Sequence, residues 1–182
     1  QYILMFIPGR IEVLGKHTDY CGGRSIVCAI NRGFHVEVET HSDPVVVLEN
    51  RDSSEVVRVD LKAPADLPGH WGNYAVEVVR RLNANFPDNL KNGVMIRFHS
   101  DLPKAAGLSS SSALMIMVYA ALDAVNGIHE TGRYQDNIQN EINLAEYLGC
   151  LENGLSFRDL AGTAGVGTFG GSQDHAAILL GK

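Results

Sequence analysis

The sequence predicts an α+β domain built in two layers. Strand-like alternation fills most of the first hundred residues, and helical spacing takes over after residue 110. At 182 residues and 45% hydrophobic content, the chain can bury one substantial core, so residues 1–182 are read as a single domain. No internal repeat or low-complexity linker divides it.

The elements are expected in this order. An apolar strand occupies residues 2–7, Pro8-Gly9 makes a turn, and a second strand runs over 10–14. Further strands span 34–40, 45–48 and 56–61, with hairpin turns at 40–45 and 50–55. Residues 73–83 place Tyr74, Val78, Arg81 and Leu82 at helical spacing. A strand over 93–99 alternates Val94, Ile96 and Phe98 and runs towards Pro103. Residues 113–125, free of Gly and Pro, read as a helix buried on most sides, and 134–148 as another. A short apolar run over 176–180 follows the last glycine-rich stretch.

Three segments carry chemistry. In the first, Pro8 to Tyr20, the cations Arg10 and Lys16, the imidazole of His17 and the carboxylate of Asp19 crowd into ten residues after a strand. Loops held on a rigid strand are common binding positions, and this mixture of donors and acceptors suits a polyhydroxylated ligand. The alternative is a solvated turn with scattered charges. In the second, Lys104, Gly107, Leu108 and four serines, Ser109, Ser110, Ser111 and Ser112, open an apolar helix. A helix N-terminus offers unpaired N–H groups and a positive dipole end to an anion, and Gly107 lets the backbone approach it. One serine suffices for capping, so four exceed that need. No Gly-Lys-Ser/Thr follows the loop, so the P-loop pattern is absent. In the third, glycines including Gly171 lead to Asp174 at the head of the final apolar run. That position suits a helix-capping aspartate or a base held in a cleft.

The order of these segments resembles the GHMP small-molecule kinases, and the first resembles their galactokinase branch. That branch opens with Pro-Gly-Arg, four residues, then Gly-Glu-His-Thr-Asp-Tyr, which is Pro8 to Tyr20 here with Lys16 in place of glutamate. The phosphate loop Pro-x-x-x-Gly-Leu-Ser-Ser-Ser is similar to Pro103 to Ser111. The aspartate segment Gly-x-x-Asp-Gln is similar to Gly171 to His175, with His175 in place of glutamine. The resemblance implies the N-terminal fold of this family, called ribosomal protein S5 domain 2-like, and an ATP-dependent sugar kinase that uses Mg²⁺. Implied roles follow residue by residue. Asp174 accepts or orients the proton of the anomeric hydroxyl, with Arg10 beside it. Lys16, His17, Asp19 and Gly171 face the sugar. Lys104, Gly107, Leu108 and Ser109 to Ser112 hold the ATP phosphates. Ser110 or Ser111, with Glu146 of the Ala145-Glu146 pair, holds Mg²⁺. The stretch between that pair and Asp174 is longer than the family's, which makes Glu152 the fallback.

The implied product is the 1-phosphate of galactose or a related sugar. Lys16 is donor-only and cationic where the family carries an acceptor, so a uronic acid with a carboxylate at C6 is also expected to suit it. The alternative implied by the family is a catalytically weak relative that senses sugar and ATP. A non-sugar alcohol substrate is disfavoured by His17-Thr18-Asp19-Tyr20. The chain begins with Gln1 and lacks the family's third Gly-rich motif, so it is expected to be an N-terminal fragment without the second domain, inactive by itself.

Composition fits this reading. Net charge is −6 and the pI near 5.6, with no basic tract, which argues against a nucleic-acid partner. No segment approaches the roughly 18 apolar residues of a membrane span, and the apolar opening is too short for a signal peptide. Cys21, Cys28 and Cys150 give an odd count without metal-binding spacing, as expected of reduced thiols in a cytoplasmic protein. The partners expected are a small-molecule sugar and ATP; the sequence does not set an oligomeric state.

Overall fold

The computed structural model describes residues 2–15, 22–103, 107–168 and 170–181. Five strands and five α-helices are described: β1 Ile3–Leu14, β2 Ile26–His41, β3 Val45–Asn50, β4 Glu55–Asp60, α1 Asn73–Asn85, β5 Gly93–Ser100, α2 Ser110–Asn126, α3 Gly132–Asn137, α4 Glu141–Asn153 and α5 Gln173–Leu180. The strands form one sheet in the order β1-β2-β5-β3-β4. The β3–β5 pair is parallel and the other pairs are antiparallel. The core lies between the sheet and the helices: Val38, Leu48, Val94 and Ile96 from the strands join Val78, Leu82, Met115, Val118 and Leu122, all fully buried. This is the two-layer α+β arrangement expected.

Several local expectations are corrected. Pro8-Gly9 does not end a strand; β1 runs through it, with a register shift between Pro8 and Arg10. β1 is an edge strand, where a missing proline N–H breaks no ladder. A Cβ on Gly9 would lie 2.6 Å from Leu102 and 3.1 Å from the Leu108 carbonyl, so this glycine admits the serine loop against the sheet. β2 begins at Ile26 rather than 34, because Ala29, Cys28 and Val27 pair with Arg10, Ile11 and Glu12.

Residues 40–45 do not make a hairpin, since β5 inserts between β2 and β3, pairing Thr40 with Val94 and Val94 with Val46. The expected turn at 50–55 is a hairpin, closed by Asn50 opposite Glu55. The helix expected over 134–148 is two helices. Asn140 ends the extended break between them and caps α4 by accepting from the Asn143 N–H at 2.9 Å. The Asn137 carbonyl, freed by this break, accepts from Arg158 at 2.7 Å.

Buried charge ties the later loop to the helices. Glu77 on α1 is fully buried. It pairs with Arg80 at 2.6 Å, accepts from the Gly165 N–H at 3.0 Å and is bonded by the Thr163 hydroxyl. Arg81 is also fully buried and lies over the Tyr147 ring, 5.3 Å from its centroid.

Candidate active site

The site forms where the β1 bulge, the start of α2 and the start of α5 converge. Arg10 leaves the bulge and donates from Nε to Asp174 Oδ1 at 2.5 Å and from Nη1 to the Gly107 carbonyl at 2.9 Å. Its own N–H donates to the Leu108 carbonyl at 3.2 Å, so sheet and loop are bonded through backbone as well as side chain. Ser109 adopts a left-handed conformation, φ 54° and ψ 44°, which costs a non-glycine residue about 1–2 kcal/mol. Its hydroxyl does not cap α2; it donates to Asp174 Oδ2 at 2.5 Å. Both oxygens of Asp174 are therefore engaged, by a cation and a hydroxyl. Asp174 also sits in the first turn of α5, where the helix dipole favours a carboxylate. The Arg10 and Asp174 side chains remain 12% and 23% exposed, so the pair is sheltered yet reachable.

Three cavities run from this pair across the molecule. The first, about 290 Å³, is lined by Arg10, Gly107 and Leu108 to Ser111. The second, about 210 Å³, shares Ser110 and Ser111 with it and is walled by Phe34, Trp71, Tyr74 and Phe98. The third, about 360 Å³, shares Trp71 and Tyr74 with the second. The shared linings order a path from a charged cluster, past hydroxyls and a helix N-terminus, to an aromatic chamber.

Behind the serine loop lies a buried polar group. Ser112 on α2 donates to Glu152 Oε2 on α4 at 2.8 Å, and His175 Nε2 on α5 lies 3.0 Å from the same oxygen. Glu146 is exposed on α4 and accepts from Asn143 at 3.4 Å. The structure thus brings Glu152, the fallback, to the serine loop, and places Glu146 on another face of the same helix. Gly171 follows Gly170, whose N–H and carbonyl are both bonded by the Asn153 side chain at 2.9 and 2.8 Å. Lys16, His17, Asp19 and Lys104 lie outside the described residues. Sequence reasoning missed Trp71, Tyr74 and Asn153. Trp71 lies just ahead of α1 and Tyr74 in its first turn, and both rings line the second and third cavities.

The family model described as "GHMP kinases N terminal domain" matches residues 73–182, well over half of the chain. The chain belongs to the GHMP kinases. A second model, the galactokinase galactose-binding signature, matches residues 2–40. Among curated GHMP kinases, a galactokinase of Actinobacillus pleuropneumoniae serotype 5b is 37% identical over 115 residues, covering 63% of this chain and 30% of its own length. One from Exiguobacterium sibiricum is 32% identical over 183 residues, covering 97% of this chain and 41% of its own length. The chain therefore spans well under half of these relatives. Lactococcus lactis galactokinase, solved complexed with galactose, superposes over the whole chain and 42% of its own with a TM-score of 0.79 at 25% identity. Methanococcus jannaschii mevalonate kinase shares the fold, with a TM-score of 0.70 at 16% identity over the whole chain and 52% of its own. Among the described residues, no helix is long and apolar enough to cross a membrane.

Proposed function

We propose that this protein transfers the γ-phosphoryl group of ATP to the anomeric hydroxyl of galactose or a close relative, giving a sugar 1-phosphate and ADP. The observation that carries this reading is the ordered path of cavities, ending at Arg10 and Ser109, the two residues that bond Asp174. ATP is matched part by part along it. The aromatic chamber of Trp71, Tyr74, Phe34 and Phe98 suits a purine. The α2 N-terminus has no side-chain cap and no acidic residue of its own in the first turn, so its backbone donors are open to phosphate oxygens. Gly107, at φ 66°, has no described residue beyond its chain neighbours within 4 Å of where a Cβ would stand, which lets the backbone approach a bulky anion.

Hydroxyl and carboxylate oxygens are the hard donors that Mg²⁺ takes alongside phosphates, so Ser110 or Ser111 with Glu152 fits the ion better than a set including the exposed Glu146. When bound, Mg²⁺ supplies charge neutralisation on the phosphates. The residues of the chain do the rest. Asp174 receives the anomeric proton, and Arg10 neutralises the carboxylate and faces charge developing at the transferred group. Ser109 fixes the second carboxylate oxygen. An assembled Arg10–Asp174–Ser109 cluster favours catalysis over a sensing role. His17 and Asp19 hold the sugar hydroxyls in this reading, which is supported by their place within residues 2–40, the stretch that the galactose-binding signature matches. The uronic-acid expectation rests on Lys16 alone and gains no support from relatives named as galactokinases, so galactose is the substrate proposed.

The test is sugar-dependent ADP release by the complete protein with galactose, galacturonate, glucuronate and L-arabinose. Galactose is expected to be preferred. No sugar-dependent release with any of them would overturn the kinase reading, and preference for an acid would overturn galactose as the substrate. The metal assignment has its own expected outcome. Glu152→Gln, which keeps an acceptor for Ser112, should weaken apparent Mg²⁺ affinity by about 10–100-fold, the range seen when metal-site residues are altered. Glu146→Gln should leave it within about twofold. Titration of Mg²⁺ against turnover, with a thermal melt of each variant, checks both; the reverse order would restore Glu146.

A further inference from the structure

We propose that Glu55 is a positioning residue for nucleotide binding: it pins the Trp71 indole as a fixed wall of the aromatic chamber. This rests on the base-pocket reading above. Trp71 borders both inner cavities, so its orientation sets the shape of the chamber. The indole meets the Phe98 ring edge-on at 5.8 Å and 80°, and the His70 ring at 5.3 Å and 33°. On its outer side the indole Nε1–H donates to Glu55 Oε2 at 2.9 Å. The other carboxylate oxygen, Oε1, lies 3.1 Å from His70 Nε2. His70 Nδ1 accepts from the Gly72 N–H at 3.0 Å, which leaves the ring proton on Nε2, facing Glu55. Both oxygens of one carboxylate thus hold consecutive residues of the segment that leads into α1.

Glu55 does this from the sheet. It is the first residue of β4, closing the hairpin opposite Asn50, so the anchor moves with the rigid layer and not with the loop. The hydrogen bonds from Trp71 and His70 hold its carboxyl below the usual carboxylate range. It lines neither inner cavity itself, so it reaches a bound base through Trp71, which borders both, and through His70, which borders the third. An indole without this acceptor could rotate about its side-chain bonds, and binding would have to order it again; a wall fixed in advance removes that cost.

Trp71 is the only tryptophan in the chain, so its emission reports the wall directly. The experiment measures affinity for a non-hydrolysable ATP analogue with Mg²⁺ by calorimetry on the complete protein and its Glu55→Ala, Glu55→Gln and Trp71→Ala variants, and tryptophan emission taken as the difference from Trp71→Ala. Glu55→Ala should weaken nucleotide affinity about fivefold and shift the emission of the free protein to the red, as the indole loses its charge-assisted hydrogen bond and His70 loses its own at a partly exposed site. Glu55→Gln, which keeps an acceptor, should return affinity to within about twofold. In the complete protein, turnover at saturating ATP should be unchanged in both, so the effect falls on KM and not on kcat. If Trp71→Ala weakens binding while Glu55→Ala does not, the positioning role is wrong and the base pocket stands. If Trp71→Ala has no effect, or the folded chain binds no nucleotide, the base pocket falls and the role of Glu55 with it.

Discussion

Replacing Asp174 with asparagine is expected to lower kcat by about 10²–10⁴-fold while sugar affinity barely changes. The scale is that of a lost general base. The split between kcat and KM follows from the work being done in the transition state. The structure sharpens the reason. One oxygen of Asp174 accepts from Arg10 Nε and the other from the Ser109 hydroxyl, each at 2.5 Å. An asparagine keeps one acceptor and turns an amide N–H₂ towards one of these donors, so it loses both the proton acceptor and half of the clamp. Steady-state kinetics on the complete protein, with sugar affinity measured separately, reads the two effects apart. Turnover near that of the unaltered protein would leave Asp174 as no more than the acidic residue that favours the first turn of α5.

Replacing Gly107 with valine is expected to weaken MgATP binding by about 100-fold, or about 2.8 kcal/mol. Gly107 has a φ of 66°, which a β-branched residue adopts only under strain. Its carbonyl also receives Arg10 Nη1 at 2.9 Å, so a shifted backbone disturbs the base and the phosphate loop together. Among the described residues, chain neighbours aside, no atom lies within 4 Å of the position a Cβ would take, so the variant should still fold. Calorimetry with MgATP, alongside a thermal melt, checks this. Unchanged affinity in a folded variant would remove the loop from the nucleotide site.

The parts of this fold that sequence makes legible are those set by local patterning. Val94, Ile96 and Phe98 alternate in β5, and the serine run marks where α2 begins. The parts that escape it depend on distant partners. β2 starts eight residues early because Ala29, Cys28 and Val27 find β1. Residues 40–45 look like a hairpin because β5, the strand that separates β2 from β3, arrives some fifty residues later.

The candidate site divides in the same way. Arg10, Gly107, Ser109 and Asp174 stand out in three separate motifs, and the fold brings them together. Glu146 stands out through its pairing with Ala145, yet Glu152 is the carboxylate beside Ser112. Six residues turn a helix by about 600°, so the two side chains leave α4 on different faces. Only the packing of α4 against α2 and α5 decides which one meets the loop. Trp71 escaped notice because a lone tryptophan ahead of a helix is ordinary core material until the cavity beside it is seen.

The proposed transfer of a phosphoryl group from ATP to the anomeric oxygen of a sugar held beside Asp174 marks the sugar itself. The most direct measurement is to incubate the complete protein with MgATP and galactose labelled with ¹³C at C1, and to record the carbon spectrum of the product. The account predicts a C1 resonance split by coupling to phosphorus, appearing in step with ADP. ADP formation with no coupling at C1, or a labelled sugar that remains unchanged while the Asp174 and Gly107 sites are intact, would contradict it.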